Sequence, residues 1–253
     1  MAPYLFWGAL MCGALAETFF PLRDLVLSIT RRWLNHGILL AINTAINVLI
    51  FRGGVIAFAA FIEERQFGVL PHVFRTAASV VIFLALDLAR YASHRLYHRF
   101  ALLWRIHRVH HADPDFDVTT GFRFHPLEAM LTECLLFAVV AALGPPVAAV
   151  VLAESAATFE DIFEHVNVPI PQRLDRMLRM FLITPNMHRV HHSADAAEQN
   201  TNFGTVLTWW DRLFGTYAAH ASVDLPQMEV GLASYPAAKS TSIASTLAMP
   251  FTD

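Results

Sequence analysis

HRVHH stands at residues 107–111 and again at 188–192. In each copy the imidazoles occupy i, i+3 and i+4, positions that share one face of a helix. Both copies therefore read as short helical segments that turn three rings towards a common partner. HRLYH, with His94 and His98 at i and i+4, precedes them, and a single His165 in EHVN lies between them. Nine of the 13 histidines (His94, His98, His107, His110, His111, His165, His188, His191 and His192) thus fall in one stretch of chain. Neutral imidazole is the commonest metal ligand among side chains and suits iron, zinc and copper. One ion takes roughly four to six ligands, so nine rings suit two neighbouring ions better than one.

The composition points to a membrane. Hydrophobic residues make up 55% of the 253 and charged residues only 15%, against about 25% charged in soluble domains. Mean hydropathy is +0.44 and the pI near 6.5. With a net charge of -3, no basic footprint for nucleic acid is present. Cys12 and Cys134 sit in apolar runs and form neither a disulfide framework nor a CxxC metal site.

Residues 4–20 and 33–51 are each long enough to cross a bilayer as helices. The first lacks a basic leader region and reads as a retained span. Arg23, Arg31 and Arg32 place the connecting segment in the cytoplasm by the positive-inside rule, and Arg52-Gly53-Gly54 turns the chain on the opposite side. Glu63, Glu64 and Arg65 make residues 55–71 suit an interfacial helix, after which residues 72–90 recross. Gly144-Pro145-Pro146 breaks the apolar run from 130 to about 163 into a helical hairpin dipping from the cytoplasmic side.

Residues 91–128 and 164–253 then share the cytoplasmic side, and they contain all nine clustered histidines. The expected fold class is all-α: an integral membrane helical bundle, about three spans plus the hairpin, under a cytosolic histidine-rich metal-binding cap. Residues 1–72 form the N-terminal spans and interfacial segment, 73–220 the catalytic domain, and 221–253 a less structured C-terminal tail.

Asp87, Tyr91, His94 and His98 follow i, i+4, i+7 and i+11, one helical stripe running into the cap. Asp87 is placed either to support a ligand from behind or to make a polar helix contact. Asn200 and Asn202, in NTNFG, are suited to hydrogen-bond histidine N–H groups or to form a turn. Asp87, Tyr91 and Asn202 are the candidate catalytic residues beside the nine candidate ligands. A basic interfacial strip is the bland reading of HRVHH, since Arg105, Arg108 and Arg189 are interleaved; it would put Lys and Arg at the histidine positions too. His165 gains weight from Glu160, Asp161 and Glu164 beside it. His125, before Pro126, could cap a helix, orient a ligand or bind metal. His36, His72 and His220 read as structural.

A thiolate-free imidazole site near a membrane admits zinc hydrolysis, oxygen activation at iron, or electron transfer. Zinc hydrolases pair their ligands with a glutamate base, as in HExxH, which does not occur here. A haem or metal electron-transfer protein would carry its ligands within the bilayer, whereas these lie beyond the helix ends. Two irons with O2 could instead oxidise an unactivated C–H bond of a lipid arriving from the bilayer. No GxGxxG, CxxCH or iron–sulfur cysteine set occurs, which calls for a separate electron-donor protein.

Taken together, DLARYASHRLYH (87–98), LWRIHRVHH (103–111), FRFHPLE (122–128), EHVN (164–167), TPNMHRVHHS (184–193) and WDRLFGTY (210–217) resemble the fatty acid hydroxylase/sterol desaturase superfamily of membrane histidine-rich di-iron oxygenases. The resemblance covers roughly residues 80–220. It implies a membrane bundle under a cytosolic cap, two iron ions (replaceable by zinc on overproduction), and O2-dependent hydroxylation or desaturation of a lipid or sterol-like substrate with electrons from an external reductase. It carries metal-ligand roles onto His94, His98, His107, His110, His111, His188, His191 and His192, and by position onto His165. The HxxxH spacing of HRLYH is that of its sterol-desaturase-like and alkylglycerol-monooxygenase-like members. The lone His165 departs from the fatty-acid 2-hydroxylase pattern.

Overall fold

A computed structural model describes residues 3–252. Helices α1 (Pro3–Phe19), α2 (Ile29–Leu49), α3 (Gly54–Glu64), α4 (Arg75–Arg99), α5 (Ala101–His111), α6 (Pro126–Leu143) and α7 (Val147–Phe163) form the bundle. The short helices α8 (Gln172–Leu178), α9 (Pro185–His191), α10 (Ala196–Gln199), α11 (Trp209–Phe214), α12 (Ala237–Ser240) and α13 (Ile243–Ala248) build a cap at one end. No strand occurs among the described residues, which hold only two isolated bridges, Leu182 with Leu207 and Ser193 with Val230. The architecture is all-α, as the sequence predicts.

Three stretches are long and apolar enough to cross a membrane: Ile29–Glu64, Arg75–Arg99 and Pro126–Leu143. This set differs from the expected one. Helix α1 has 17 residues and falls short of the other three in length, while the first arm of the hairpin is long enough by itself. Helices α2 and α3 run in series, joined where Arg52 and Gly53 take the left-handed conformation (φ 54° and 99°).

Helix α3 is also better buried than an interfacial helix needs to be. Val55, Ala59 and Ile62 form a stripe that packs on α6 and α7, because i, i+4 and i+7 fall on one face. Its charges gather at the C-terminal end, where the Glu63 carboxylate accepts the Val147 N–H at 2.9 Å.

Around Ile82 and Leu86 of α4, Leu136 and Val140 of α6, and Val150 of α7, the bundle closes into its main apolar core. Phe58 stacks on Phe137 with ring centroids 4.4 Å apart. At the hairpin tip Gly144 ends α6 with φ 63°, and a Cβ there would lie 1.7 Å from the Phe67 carbonyl oxygen. Only glycine allows both the left-handed turn and so close an approach of the α3–α4 connection.

The cap follows from two breaks. Phe100, a single extended residue, separates α4 from α5, so the histidines ending α4 face those of α5 at once. Pro126 at the first turn of α6 suits a position whose N–H has no helical partner, and His125 caps it by accepting the Leu127 N–H at 3.1 Å. Contrary to the expectation of a loose tail, residues 221–252 fold onto the cap. Met228, Val230 and Met249 are buried, and Arg108 donates to the Met249 and Thr252 carbonyls.

Candidate metal centre

The nine histidines converge. Their ring nitrogens form two groups, His94, His98, His107, His111 and His191 in one and His110, His165, His188 and His192 in the other, each with its candidate ligand atoms within 4.8 Å of one another. The division cuts across the repeated pentapeptide. In α5 the i and i+4 rings, His107 and His111, go to the first group and His110 to the second; His188 of α9 and His192 just past its end go to the second and His191 to the first. Each copy of HRVHH therefore lends one ring to the other copy's group, and the two groups lie against each other, with His111 stacked on His192 at 4.4 Å.

Short local signals place these rings. Thr184 caps α9 by accepting the Met187 N–H and Pro185 occupies its first turn, so the TPNMHRVHH run fixes its own helix start. His165 lies just past the end of α7 and is 1% exposed.

The ring edges facing away from the groups are held. Nδ1 of His94 lies 2.9 Å from the Phe203 carbonyl, that of His191 2.8 Å from Thr201 and that of His165 2.7 Å from Asp161. His107 Nδ1 lies 2.7 Å from Glu128 Oε1. An N–H donated outwards fixes the tautomer and leaves the Nε2 lone pair directed inwards.

The inner edges are unsatisfied as hydrogen-bonding groups. Nε2 of His94, His98 and His191 is buried without a partner. In the second group His188 Nε2 lies 3.0 Å from His165 Nε2 and 3.1 Å from His192 Nε2, and one ring nitrogen cannot donate to both. Two nitrogens bound at about 2.1 Å to one ion stand roughly 3 Å apart, so the residues fit a pair of metal ions. Burial first, and the neighbouring imidazoles second, push His110, His111, His188 and His192 well below the usual histidine range. Burial brings His165 down to about 4, and burial with His107 nearby brings His191 down to about 3. These six rings stay neutral at physiological pH, the form that binds metal.

The three candidate catalytic residues brace the surroundings of the rings. The Asp87 carboxylate accepts N–H groups from Val206, Leu207 and the Trp210 indole, so it is the polar helix contact of the two roles open to it. Asn202, at φ 52°, donates to the Met187 and Ala218 carbonyls and accepts the Ala218 N–H. Tyr91 shares a hydrogen bond with Thr216 at 2.9 Å. None of the three hydrogen-bonds a histidine ring among the described residues. Asp87 and Asn202 directly, and Tyr91 through Thr216, whose carbonyl accepts the Asn202 N–H, hold the 202–207 loop, whose Phe203 carbonyl orients His94.

His125 spends both nitrogens on structure, capping α6 and meeting the Leu247 carbonyl at 3.2 Å. Glu128 is the residue that sequence reasoning missed; the signal was its place in FRFHPLE, in the first turn of α6. Beside the rings, a cavity of about 350 Å³ reaches His94, His107, His110, His165 and His188 from between the bundle helices.

The fatty acid hydroxylase family model matches residues 79–216, more than half of the chain. The chain belongs to the fatty acid hydroxylase family. Among characterised relatives of this family member, an ornithine lipid hydroxylase of Rhizobium tropici is 32% identical over 58% of this chain and 43% of its own length. The alkylglycerol monooxygenase of Homo sapiens is 29% identical over 54% of this chain and 30% of its own, and methylsterol monooxygenase 1-3 of Arabidopsis thaliana 29% identical over 58% and 50%. The family member thus spans half or less of the length of these relatives. No solved structure matches it significantly.

Proposed function

We propose that the chain is a membrane di-iron oxygenase that hydroxylates a C–H bond of a lipid, using O2 and electrons from a separate donor protein. The observation that carries this is the convergence of nine imidazoles, seven of them buried, into two adjacent thiolate-free groups at the end of an apolar bundle. The relatives named above, a lipid hydroxylase and two monooxygenases, support the same reaction class. Iron held there would supply the oxidant for an unactivated C–H bond. The overall change is balanced by C–H, O2, two electrons and two protons giving C–OH and water.

The chain's own residues do the positioning. Glu128 and the carbonyls of Asp161, Thr201 and Phe203 hold the rings in their ligating tautomer, while Asp87, Asn202 and Tyr91 hold the loop behind His94. The cavity admits the substrate from the bundle side. Arg23 and Arg31, in the α1–α2 segment and at the start of α2, favour a cytoplasmic position for the cap.

Comparing the lipids of a host with and without the gene tests this reading. The expected result is a lipid heavier by one oxygen atom only when the gene and a reductase are present; one lighter by two hydrogens would assign desaturation. An unchanged lipid profile with metal-loaded protein in the membrane would refute the oxygenase reading.

A further inference from the structure

One segment of the cap sits lower than the rest. Helix α4 starts at Arg75, and at a rise of about 1.5 Å per residue it crosses a hydrocarbon core of about 30 Å in roughly twenty residues, ending near Arg95. The segment around α11 meets α4 before that point. The Trp210 indole donates to Asp87 Oδ2 at 2.8 Å, and Phe214 stacks on Tyr91 with ring centroids 5.4 Å apart. Trp210, Phe83 and Leu84 pack on one cluster with Val206, Leu207 and Ala157 of α7. Phe83 to Tyr91 lie about 12 to 24 Å along α4 from Arg75, inside the core. Ala157 gives a similar depth, about 15 Å from the α7 start at the hairpin tip.

Backbone and surface both suit that depth. Irregular backbone in lipid needs its polar groups satisfied by protein. Here Asp87 takes the Val206 and Leu207 N–H groups, Asp211 takes those of Phe203 and Gly204 at 2.8 Å each, and the Phe181 carbonyl takes that of Thr208 at 3.0 Å. The outer surface is apolar: Met177, Met180, Phe181, Trp209, Leu213 and Phe214 are all exposed, Leu213 by 70%. An apolar patch of this kind marks a contact surface, and α4 exposes Val80 and Val81 at the same depth. Arg173 and Arg176 are exposed on α8 beside Leu174 and Met177, so their stems can lie over apolar surface while their guanidiniums reach lipid headgroups.

We propose that α8, α11 and the Met180–Phe181 strap between them form a re-entrant wedge of the cap, with its apolar face seated among the acyl chains of one bilayer leaflet. Hydropathy assigns residues 164–253 to water as one block, because α8 and α11 have only seven and six residues, far too short to register as spans. The wedge presses the loop behind His94 against the span from the lipid side. It thereby sets the histidines at the edge of the hydrocarbon, where a bilayer lipid meets them without passing through water. The depth rests on α4 as a span and needs nothing of the reaction.

The test uses the full chain in lipid nanodiscs, with Cys12→Ser and Cys134→Ser and one new cysteine at a time: Leu213→Cys, Met177→Cys, Val81→Cys or Ala196→Cys, each carrying an environment-sensitive fluorophore. Val81 is the lipid-facing reference and Ala196, exposed on α10, the water-facing one. Labels at Leu213 and Met177 should follow Val81, quenched several-fold more by nitroxides on the acyl chains than by aqueous iodide, with the order reversed at Ala196. Iodide quenching at Leu213 as strong as at Ala196 would overturn the proposal. So would shielding from both quenchers, the sign of a second copy or another protein on this face. Iodide reaching Val81 as well would overturn it through α4, which would then be no span. The unaltered chain gives a second reading: hydroxyl-radical footprinting in nanodiscs should spare Met177, Met180 and Leu213 and mark Val223, which is 50% exposed. Oxidation of both methionines as fast as that of water-exposed side chains would contradict the wedge, whatever the variants do. Neither readout involves lipid oxidation, so the oxygenase reading stands or falls separately.

Discussion

Alanine at His107 or at His188 is expected to abolish lipid oxidation, a loss of more than about 100-fold, larger than removal of a ligand's outer partner usually causes. The two positions sample the two groups separately. Each is about 2% exposed, so truncation leaves a void facing several uncompensated ring nitrogens and changes the geometry and occupancy of the metal together. Product formation by mass spectrometry, in membranes with equal protein levels and a supplied reductase, is the readout. His220→Ala, at an exposed position, is the matched control and should keep most activity. His36 cannot serve as that control: it is fully buried, with Thr119 at 2.8 Å and Asp113 at 3.0 Å, and alanine there disturbs the fold beneath the cap.

The second large effect lies in that same buried network. Arg32 of α2 is fully buried and pairs with Asp113 and Asp117, with Asp115 3.9 Å away. Arg32→Leu would leave these carboxylates uncompensated, at a cost of about 3–5 kcal/mol, and should lower thermal stability in detergent sharply. Asp113→Asn added to it should recover part of the loss.

The same network predicts acid sensitivity. Burial would raise the Asp113 carboxyl, but the Arg32 guanidinium and His36 outweigh it and hold it well below the usual range; Asp117 is lowered in the same way. A carboxyl depressed on folding stabilises fully above its unfolded value of about 4 and loses that contribution as pH falls through the folded one. The native protein should therefore weaken below about pH 4, and the Arg32 variant should show less of this dependence.

The centre was legible because its rings are written as i, i+3, i+4 and the chain between them is punctuated by Gly144-Pro145-Pro146 and Pro126. Periodicity could say that three rings share a face. It could not say that His110 and His191 cross to the opposite group, since this depends on how α5 and α9 meet in space. The outer partners of the rings were equally hidden, because three of the four are backbone carbonyls and carry no residue signature.

Charge misled in two places. Glu63, Glu64 and Arg65 suggested an interfacial helix, yet they end a helix whose apolar face is packed in the bundle. Arg32, counted among the residues that orient the chain in the membrane, is neutralised by aspartates 81 to 85 residues away in sequence. The Pro/Ser/Ala content of the tail likewise hid the role of Met228, Val230 and Met249, which seat it on the cap.

The claim beneath all of this is that nine imidazoles hold two metal ions. Elemental analysis of the detergent-purified native chain, normalised by amino-acid analysis, measures it directly. The account predicts about two ions per chain, with iron in the active form and zinc able to replace it. A reproducible content of one ion per chain or less, in protein that oxidises lipid, would contradict it.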